Sequence, residues 1–230
     1  MYKRLVIKYL HKMNQLNLLG GSAPDNISIA LQYAKEISDA DIDYRWHNEA
    51  DEAKEVALAC DDKFWSGEGP PPSAIEIKTN NKSIVCTGLT NLMRRKVGLS
   101  IPGLNGNIPG QEDWDDWKKY PGSTGAWYHY LKQHGRLKKF DPTKVYPRGT
   151  LLVQRWESLE QQGHVAVVFD DIGSNIYEQN IVHAIPFSSF AVSGKNPGRV
   201  GSTIIAPYKE FTDWFMVEFI CLPEDWLIIN

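Results

Sequence analysis

The side chains with the clearest chemical potential in this chain are one cysteine and two histidines. Cys86 opens a helical pattern after a polar loop, and the N-terminus of a helix supplies unpaired N–H groups and partial positive charge that stabilise a thiolate. His164 opens a β-rich segment and His183 lies in the next one, so an antiparallel pairing would make them neighbours. A thiol, a base and a group that orients the base are the parts of a nucleophilic cysteine site. Cys86, His164 and His183 are therefore candidates for a catalytic site, and the alternative is a small core cysteine with two structurally satisfied histidines.

The other two of the three cysteines offer less. Positions 60, 86 and 221 form neither a disulfide framework nor a zinc pattern. Cys60 continues the apolar stripe of a predicted helix, and Cys221 lies in a predicted strand near the end of the chain. Cys86 is therefore the predicted reactive thiol.

Two further sets of side chains are weaker candidates for metal binding. His129 and His134 are five residues apart with no matching thiol or carboxylate nearby, which is poor spacing for a metal site. Asp113, Asp115 and Asp116 lack the bidentate Glu and the central Gly of a calcium loop. We predict no metal and no cofactor.

A group of aromatic residues in the middle of the chain is an alternative binding surface for a sugar or a peptide. Aromatic side chains pack more often than they bind, so the packing interpretation is favoured. The residues that would line such a cleft are Trp114, Trp117, Trp127 and Tyr128.

The elements that must position these residues are helical first and β-rich second. Apolar spacing predicts helices over about residues 2–16, 26–37, 50–60 and 86–97, with a shorter one over 125–134. The first is amphipathic and basic; a docked surface helix is the favoured interpretation, with a membrane-surface helix as the alternative. Residues 101–141 are otherwise expected to be mostly surface.

From residue 149 onward, Val, Ile and aromatic residues alternate with Gly, Pro, Asn and Asp, which predicts five strands. The connections are too short for crossover helices, so an antiparallel meander is expected. The predicted fold class is α+β, with N-terminal helices and the helix of Cys86 packed on a C-terminal antiparallel sheet. One domain over 1–230 is expected, in which 1–45 is an N-terminal helical extension.

Composition excludes some function classes. The chain has 230 residues, 42% of them hydrophobic, and a net charge of −3. Such a charge gives no reason to expect nucleic acid. No window is apolar enough to span a membrane, and the N-terminal residues make a poor signal peptide, so a cytoplasmic protein is expected.

Four short segments together resemble the signatures of the NlpC-type cysteine peptidases. They are CTGLTN at 86–91, GTLL at 149–152, GHVAV at 163–167 and IVHA at 181–184. The family opens its catalytic helix with DCSGLV and continues with PGDL, GHVGI and IHA in the same order. Any one match is weak, but four in order, each on the expected type of element, are specific. The resemblance implies a papain-like α+β fold over about residues 50–190.

This resemblance assigns roles. Cys86 would be the nucleophile, His164 the base, and His183 the group that orients the imidazole, with the backbone N–H of Cys86 in the oxyanion hole. Val85 stands where the family usually has Asp. The other predicted substrate-binding residues are Thr87, where the family has Ser, together with Phe64, which replaces a tyrosine, and Trp65.

The activity implied is hydrolysis of an amide bond in peptidoglycan stem peptides, of the D-glutamyl-diamino acid type, by a Cys-His-His triad. The partner would be a small peptide or peptidoglycan fragment. One alternative is amidase or acyl-transfer chemistry on another small amide, as in the related amidohydrolase branch, which the missing Asp at position 85 favours slightly. Another is a catalytically silent binding module of the same fold.

Overall fold

The computed structural model describes residues 25–44, 67–80, 84–113, 121–154, 163–185 and 202–228. The predicted helices over 2–16 and 50–60 lie outside these ranges, as do Cys60, Phe64, Trp65, Trp114, Trp117, Asp115 and Asp116. The described residues combine helices with an antiparallel sheet, so the α+β class is confirmed.

Five α-helices lie in the described ranges. They are α1 (Asn26–Asp39), α2 (Ala74–Thr79), α3 (Cys86–Lys96), α4 (Thr124–Gln133) and α5 (Pro223–Trp226). Side-chain oxygens cap three of their N-termini: Asp25 accepts from the Ser28 N–H, Ser73 forms a capping box, and Ser123 accepts from the Ala126 N–H. Val85 occupies the N-cap of α3 and makes no such bond.

Six strands form one sheet in the order β1-β6-β2-β3-β4-β5. They are β1 (Lys138–Lys139), β2 (Leu151–Gln154), β3 (His164–Val168), β4 (Asn180–Ile185), β5 (Ser202–Pro207) and β6 (Phe219–Cys221). All pairings are antiparallel. From β2 to β5 the chain is the predicted meander. The last strand departs from it, because β6 returns to pair with β2 on the far side, with Leu151 opposite Cys221.

The two faces of this sheet pack against different parts of the chain. Face A carries Val165, Val167 and Val182, which pack in one core cluster with residues of α1, α3 and α4. Face B carries Ala166, Val168 and Ile181, which pack in a second cluster with Phe211 and Phe215. The segment 208–217 therefore covers face B while it carries the chain from β5 back to β6, and this covering is why β6 is not the next strand of the meander.

Two expectations about the helical part are changed by the packing. α1 lies within the predicted extension over 1–45, but Ala34 and Ile37 are completely buried in the core shared with α3, so this helix is an integral layer. The described residues of the segment 101–141 are not mostly surface, because many of them, including Ile101, Trp127 and Leu131, are buried. α4 packs against α3, and the Trp127 indole N–H donates to Asn91 Oδ1 at 2.8 Å.

Within the ranges described, no helix is both long enough and apolar enough to cross a membrane.

Candidate active site

The thiol of Cys86 lies at the N-terminus of α3, beside strand β3. Because no side chain caps this helix, its first N–H groups are available to the sulfur. The backbone N–H groups of Cys86, Thr87 and Val165 and the side chain of Thr124 lie near Cys86 Sγ, and each favours its thiolate form. The residue is 7% exposed.

Burial nevertheless outweighs the effect of these groups. The loss of water raises the pKa of the Cys86 thiol to about 11, although each of the four favours the thiolate. Burial therefore favours the neutral thiol in the folded protein, whereas the sequence predicts a thiolate stabilised by the helix N-terminus. A helix N-terminus contributes only about 0.3–1 kcal/mol to a charge at an exposed site, and removing an ion from water costs several kcal/mol.

The two histidines are in direct contact. Nε2 of His164 lies 2.9 Å from Nδ1 of His183, a hydrogen-bond distance, on the adjacent strands β3 and β4. His183 is completely buried and His164 is 4% exposed. The predicted adjacency of a base and an orienting group therefore exists in the fold.

Aromatic rings enclose this histidine pair on face B. The ring centroids of Phe215 and Trp214 lie 4.7 and 5.0 Å from that of His164, and the Phe211 centroid lies 4.4 Å from that of His183. This apolar box lowers the pKa of His164 to about 3 and the pKa of His183 well below its ordinary value, because an imidazolium there would lose its hydration. Both rings are therefore neutral at pH 7.

His164 lies on the face of the sheet opposite to α3. Side chains alternate along β3, so Val165 and Val167 take face A, against α3, and His164 takes face B with Ala166. Cys86 packs in the cluster on face A. Among the described residues, no hydrogen bond joins the thiol to either imidazole.

Cys86 nevertheless lies near the strand that carries His164, because α3 packs against β3 and β4. The paired register of β3 and β4 covers Val167 with Val182 and Val168 with Ile181. The backbone N–H of Val165, one residue from His164, favours the thiolate form of Cys86. Cys86, His164 and His183 are all buried.

Two neighbours of the thiol, Tyr44 and Thr124, are not predicted by the sequence. Tyr44 is 3% exposed, forms a parallel bridge with Ile84, and has a pKa raised well above its ordinary value by burial and by the nearby Cys86. Thr124 begins α4, and its side chain lies near the sulfur. The Ser-Thr pair at 123–124 signals a helix start, but no sequence signal connects that helix with Cys86.

The described substrate-binding candidates are also enclosed. Val85 is half-buried and packs against the core cluster of face A. Thr87 is 3% exposed, and its carbonyl accepts from the Thr90 hydroxyl at 2.9 Å. The backbone N–H of Thr87 lies near the sulfur. A substrate can therefore meet Thr87 only after the start of α3 has become accessible.

Polar side chains on α3 hold the loops around its ends. Asn91 donates to the Gly122 carbonyl at 3.2 Å and accepts from Trp127, which fixes the loop before Thr124. The buried Arg94 donates to the Trp226 carbonyl at 2.9 Å and to the Tyr130 hydroxyl at 3.1 Å. These bonds explain why a helix with so many polar residues is buried on nearly every side.

The remaining sequence candidates that lie in the described ranges do not form a second site. Trp127 and Tyr128 are buried, so the packing interpretation holds for the two aromatic residues that the structure describes. His134 is exposed and Nδ1 bonds to the Tyr130 carbonyl at 2.7 Å. Within the described ranges, no group of three His, Cys, Asp or Glu side chains is arranged to hold a metal ion.

No protein-family model matches the chain, and no curated protein sequence matches it. The function is therefore argued from the geometry of the site and from the four short segments.

Proposed function

We propose that the protein is a cysteine hydrolase of amide bonds with an NlpC-type fold, in which Cys86 is the nucleophile, His164 the base and His183 the orienting group. The observation that carries the proposal is the bond of 2.9 Å between His164 Nε2 and His183 Nδ1, on strands against which the helix that begins at Cys86 packs. A nucleophile at the start of a helix with an oriented imidazole close by is the arrangement that thiol-dependent acyl transfer requires.

The hydrogen bond between the rings determines which nitrogen acts as the base. When His164 Nε2–H donates to His183 Nδ1, the second ring nitrogen of His164, Nδ1, has a free lone pair. That nitrogen takes the proton of the thiol as sulfur attacks the carbonyl carbon. The imidazolium that forms keeps its Nε2–H bonded to His183, which lowers the cost of the charge.

The rest of the cycle follows from the same groups. The proton on His164 passes to the leaving amine as the C–N bond breaks, and a thioester remains on Cys86. Water then attacks the thioester and gives its proton back through His164, which releases the acid and restores the thiol. The N–H of Cys86, at the uncapped start of α3, donates to the oxyanion that forms on the carbonyl oxygen.

The shifts in pKa favour general-base activation over a permanent ion pair. Burial raises the pKa of Cys86 to about 11 and lowers the pKa of His164 to about 3, so the resting pair is a neutral thiol and a neutral imidazole. Substrate binding must bring the sulfur and His164 Nδ1 into contact. Stem peptides of peptidoglycan are the substrate class that the four segments favour.

A specific observation favours a second candidate, a catalytically silent binding module of the same fold. All three side chains are buried, and the histidines lie on the face of the sheet opposite to α3. In a protein without catalytic activity, Cys86 would be a small core residue, and the two histidines would be a buried pair that hydrogen-bond to each other.

The experiment that separates these candidates is turnover with a matched nucleophile variant. The wild-type protein and Cys86→Ala are incubated with a panel of free stem peptides, small amides and an activated thioester, and products are followed by mass spectrometry. Turnover that Cys86→Ala abolishes supports the hydrolase. Turnover that survives in Cys86→Ala contradicts the assignment of the nucleophile. If the wild-type protein turns over none of these substrates, including the thioester, the result contradicts the hydrolase and supports the catalytically silent binding module.

A further inference from the structure

A groove follows the free edge of the sheet, away from Cys86. Strand β5 is the last strand of the sheet, and its residues line a cavity of about 360 Å³ together with the end of α1. The charged residues of this lining are Asp39, Asp41 and Glu210. We call this cavity the β5 groove.

Residues 42 and 43 bridge the first two residues of β5, and beyond them the outer edge of this strand has no backbone partner among the described residues. The Tyr208 N–H donates to the Gln179 carbonyl, which directly precedes β4. The Thr203 N–H points to the opposite side of β5 and donates to the Ile42 carbonyl at 3.3 Å. Because strand residues alternate between the two neighbours, the N–H and C=O of Ile205 also point outward. Among the described residues, nothing bonds to these two groups of Ile205. An edge of this kind is a template for another extended chain.

Two buried oxygens along the same groove have no hydrogen-bond partner among the described residues. They are Glu210 Oε2 and Thr203 Oγ1. Thr203 is 3% exposed and Glu210 is partly buried, and both line the groove. A buried carboxylate oxygen without a donor costs free energy, and a ligand that brings a donor would recover it.

The charges of the lining point to a cation. The lining contains three carboxylates and no Lys, Arg or His. Two lysines contact residues of this lining: Lys35 pairs with Asp39 at 2.6 Å in an exposed i,i+4 bridge, and Lys78 Nζ donates to the backbone carbonyl of Asp41. Neither supplies a donor to Glu210.

We propose that the β5 groove binds an extended peptide segment carrying Lys or Arg. The segment adds as a strand beside Ile205 and bonds to its N–H and C=O, and one cationic side chain donates to Glu210 Oε2. The hydroxyl of Thr203 bonds to the peptide backbone. Main-chain bonds provide affinity in this mode of recognition, and pockets for side chains provide specificity.

The test uses two labelled peptides of one design. One alternates Val or Thr with Lys, its matched partner carries Glu in place of Lys, and both have blocked termini; binding is measured by fluorescence anisotropy. We expect the Lys peptide to bind at least about tenfold more tightly than the Glu peptide, as charge-assisted bonds contribute more than neutral ones. Equal binding of the two peptides, or no binding of the Lys peptide, would overturn the proposal.

Variants then locate the binding site. Glu210→Gln should weaken the Lys peptide by about tenfold, and Thr203→Val should weaken it less. Ile205→Pro removes an N–H that has no partner within the described residues, so it should abolish strand addition, whereas Ile205→Val keeps the N–H and should bind normally. Unchanged affinity in Glu210→Gln would overturn the proposal.

Two further measurements keep the test decisive. If Ile205→Pro does not fold, amide NMR of the wild-type protein replaces it, and peptide-induced shifts must centre on 203–207; shifts centred elsewhere would overturn the proposal. Cys86→Ala should bind the Lys peptide as the wild type does. Loss of binding in Cys86→Ala would instead place the peptide at the proposed catalytic site and overturn the assignment to the β5 groove.

Discussion

His164 Nε2 lies 2.9 Å from His183 Nδ1, and the second ring nitrogen of His183, Nε2, is buried without a hydrogen-bond partner among the described residues. Among the described residues, the ring of His183 therefore forms a hydrogen bond only with His164. Such a pair can hold a base in one orientation and stabilise its charged form, but His183 passes its own proton to no described group. The arrangement separates the role of the base from the role of the orienting group.

This separation predicts unequal effects of two substitutions on the proposed activity. His164→Ala should lower kcat/KM by about 10²–10⁴-fold, the usual contribution of a general base. His183→Gln should cost much less, because an amide oxygen can accept from His164 Nε2–H, whereas His183→Leu cannot accept and should approach the loss in His164→Ala. An equal loss in His183→Gln and His164→Ala would contradict the assigned roles.

The raised pKa of Cys86 predicts slow alkylation near neutral pH. Because the pKa is about 11, the thiolate fraction, and hence the rate with iodoacetamide, should rise by roughly tenfold per pH unit from pH 6 to 9. A plateau below pH 8 would instead indicate a thiolate-imidazolium pair. Cys86→Ala identifies the labelled site by mass. Cys221, whose pKa burial raises to about 12, should be inert in the folded protein.

The buried neutral histidines predict a loss of stability in mild acid. The pKa of His164 is about 3 in the folded state and about 6.5 when unfolded. Below pH 6.5 the unfolded chain therefore binds a proton that the folded chain does not, and stability falls as pH falls toward 3. One such group contributes up to about 1.4 kcal/mol per pH unit.

Urea unfolding between pH 5 and 6.5 measures this effect in a range above the carboxyl titrations. His164→Gln should have a smaller dependence of its unfolding free energy on pH than the wild type. His134→Gln is the matched control, because His134 is exposed, and its pH dependence should equal that of the wild type. A His164→Gln variant with the wild-type slope would show that His164 is protonated in the folded state.

The loop that precedes Thr124 predicts a strong effect of one glycine. Gly122 has a φ of +73°, and a Cβ there would overlap the side-chain amide of Asn91. Gly122→Ala should therefore lower the free energy of unfolding by at least about 2 kcal/mol, from the strained φ and the displaced amide. Gly135→Ala has a similar φ of +65° but open space around it, so it should cost about 1 kcal/mol. Equal costs in thermal or urea unfolding would show that the Asn91 contact contributes nothing.

Because position 85 is a valine, we predict that the proposed enzyme discriminates weakly between peptides with a free and with a blocked α-amine. The Val85 side chain makes no hydrogen bond at the N-cap of α3, and a valine cannot pair with a free α-amine. The ratio of kcat/KM between a free and an N-acetylated peptide should stay below about tenfold, and Val85→Asp should raise it by about 10–100-fold. Val85→Asn is the neutral control. A wild-type preference above about a hundredfold would mean that another acid replaces the missing one.

Much of the local structure follows from the sequence by itself. Asp25 caps α1 and the apolar residues of that helix are buried as their spacing predicts, because a cap and a stripe depend only on near neighbours. Cys86 begins α3 as the apolar spacing predicts, although no side chain caps this helix. The antiparallel meander from β2 to β5 follows from strands joined by short connections.

Only the tertiary structure decided which side of the sheet each predicted catalytic residue occupies. In β3 the residues of both faces are apolar apart from His164, so their alternation assigns His164 and Val165 to opposite faces but cannot tell which face α3 covers. The segment 208–217 packs on the face that carries His164, and its aromatic rings enclose the imidazole. The resulting loss of water lowers the pKa of His164, so the ring is neutral at neutral pH. Tyr44 and Thr124 reach Cys86 from distant parts of the chain. A pKa depends on everything that surrounds a group, and those surroundings exist only once the chain has folded.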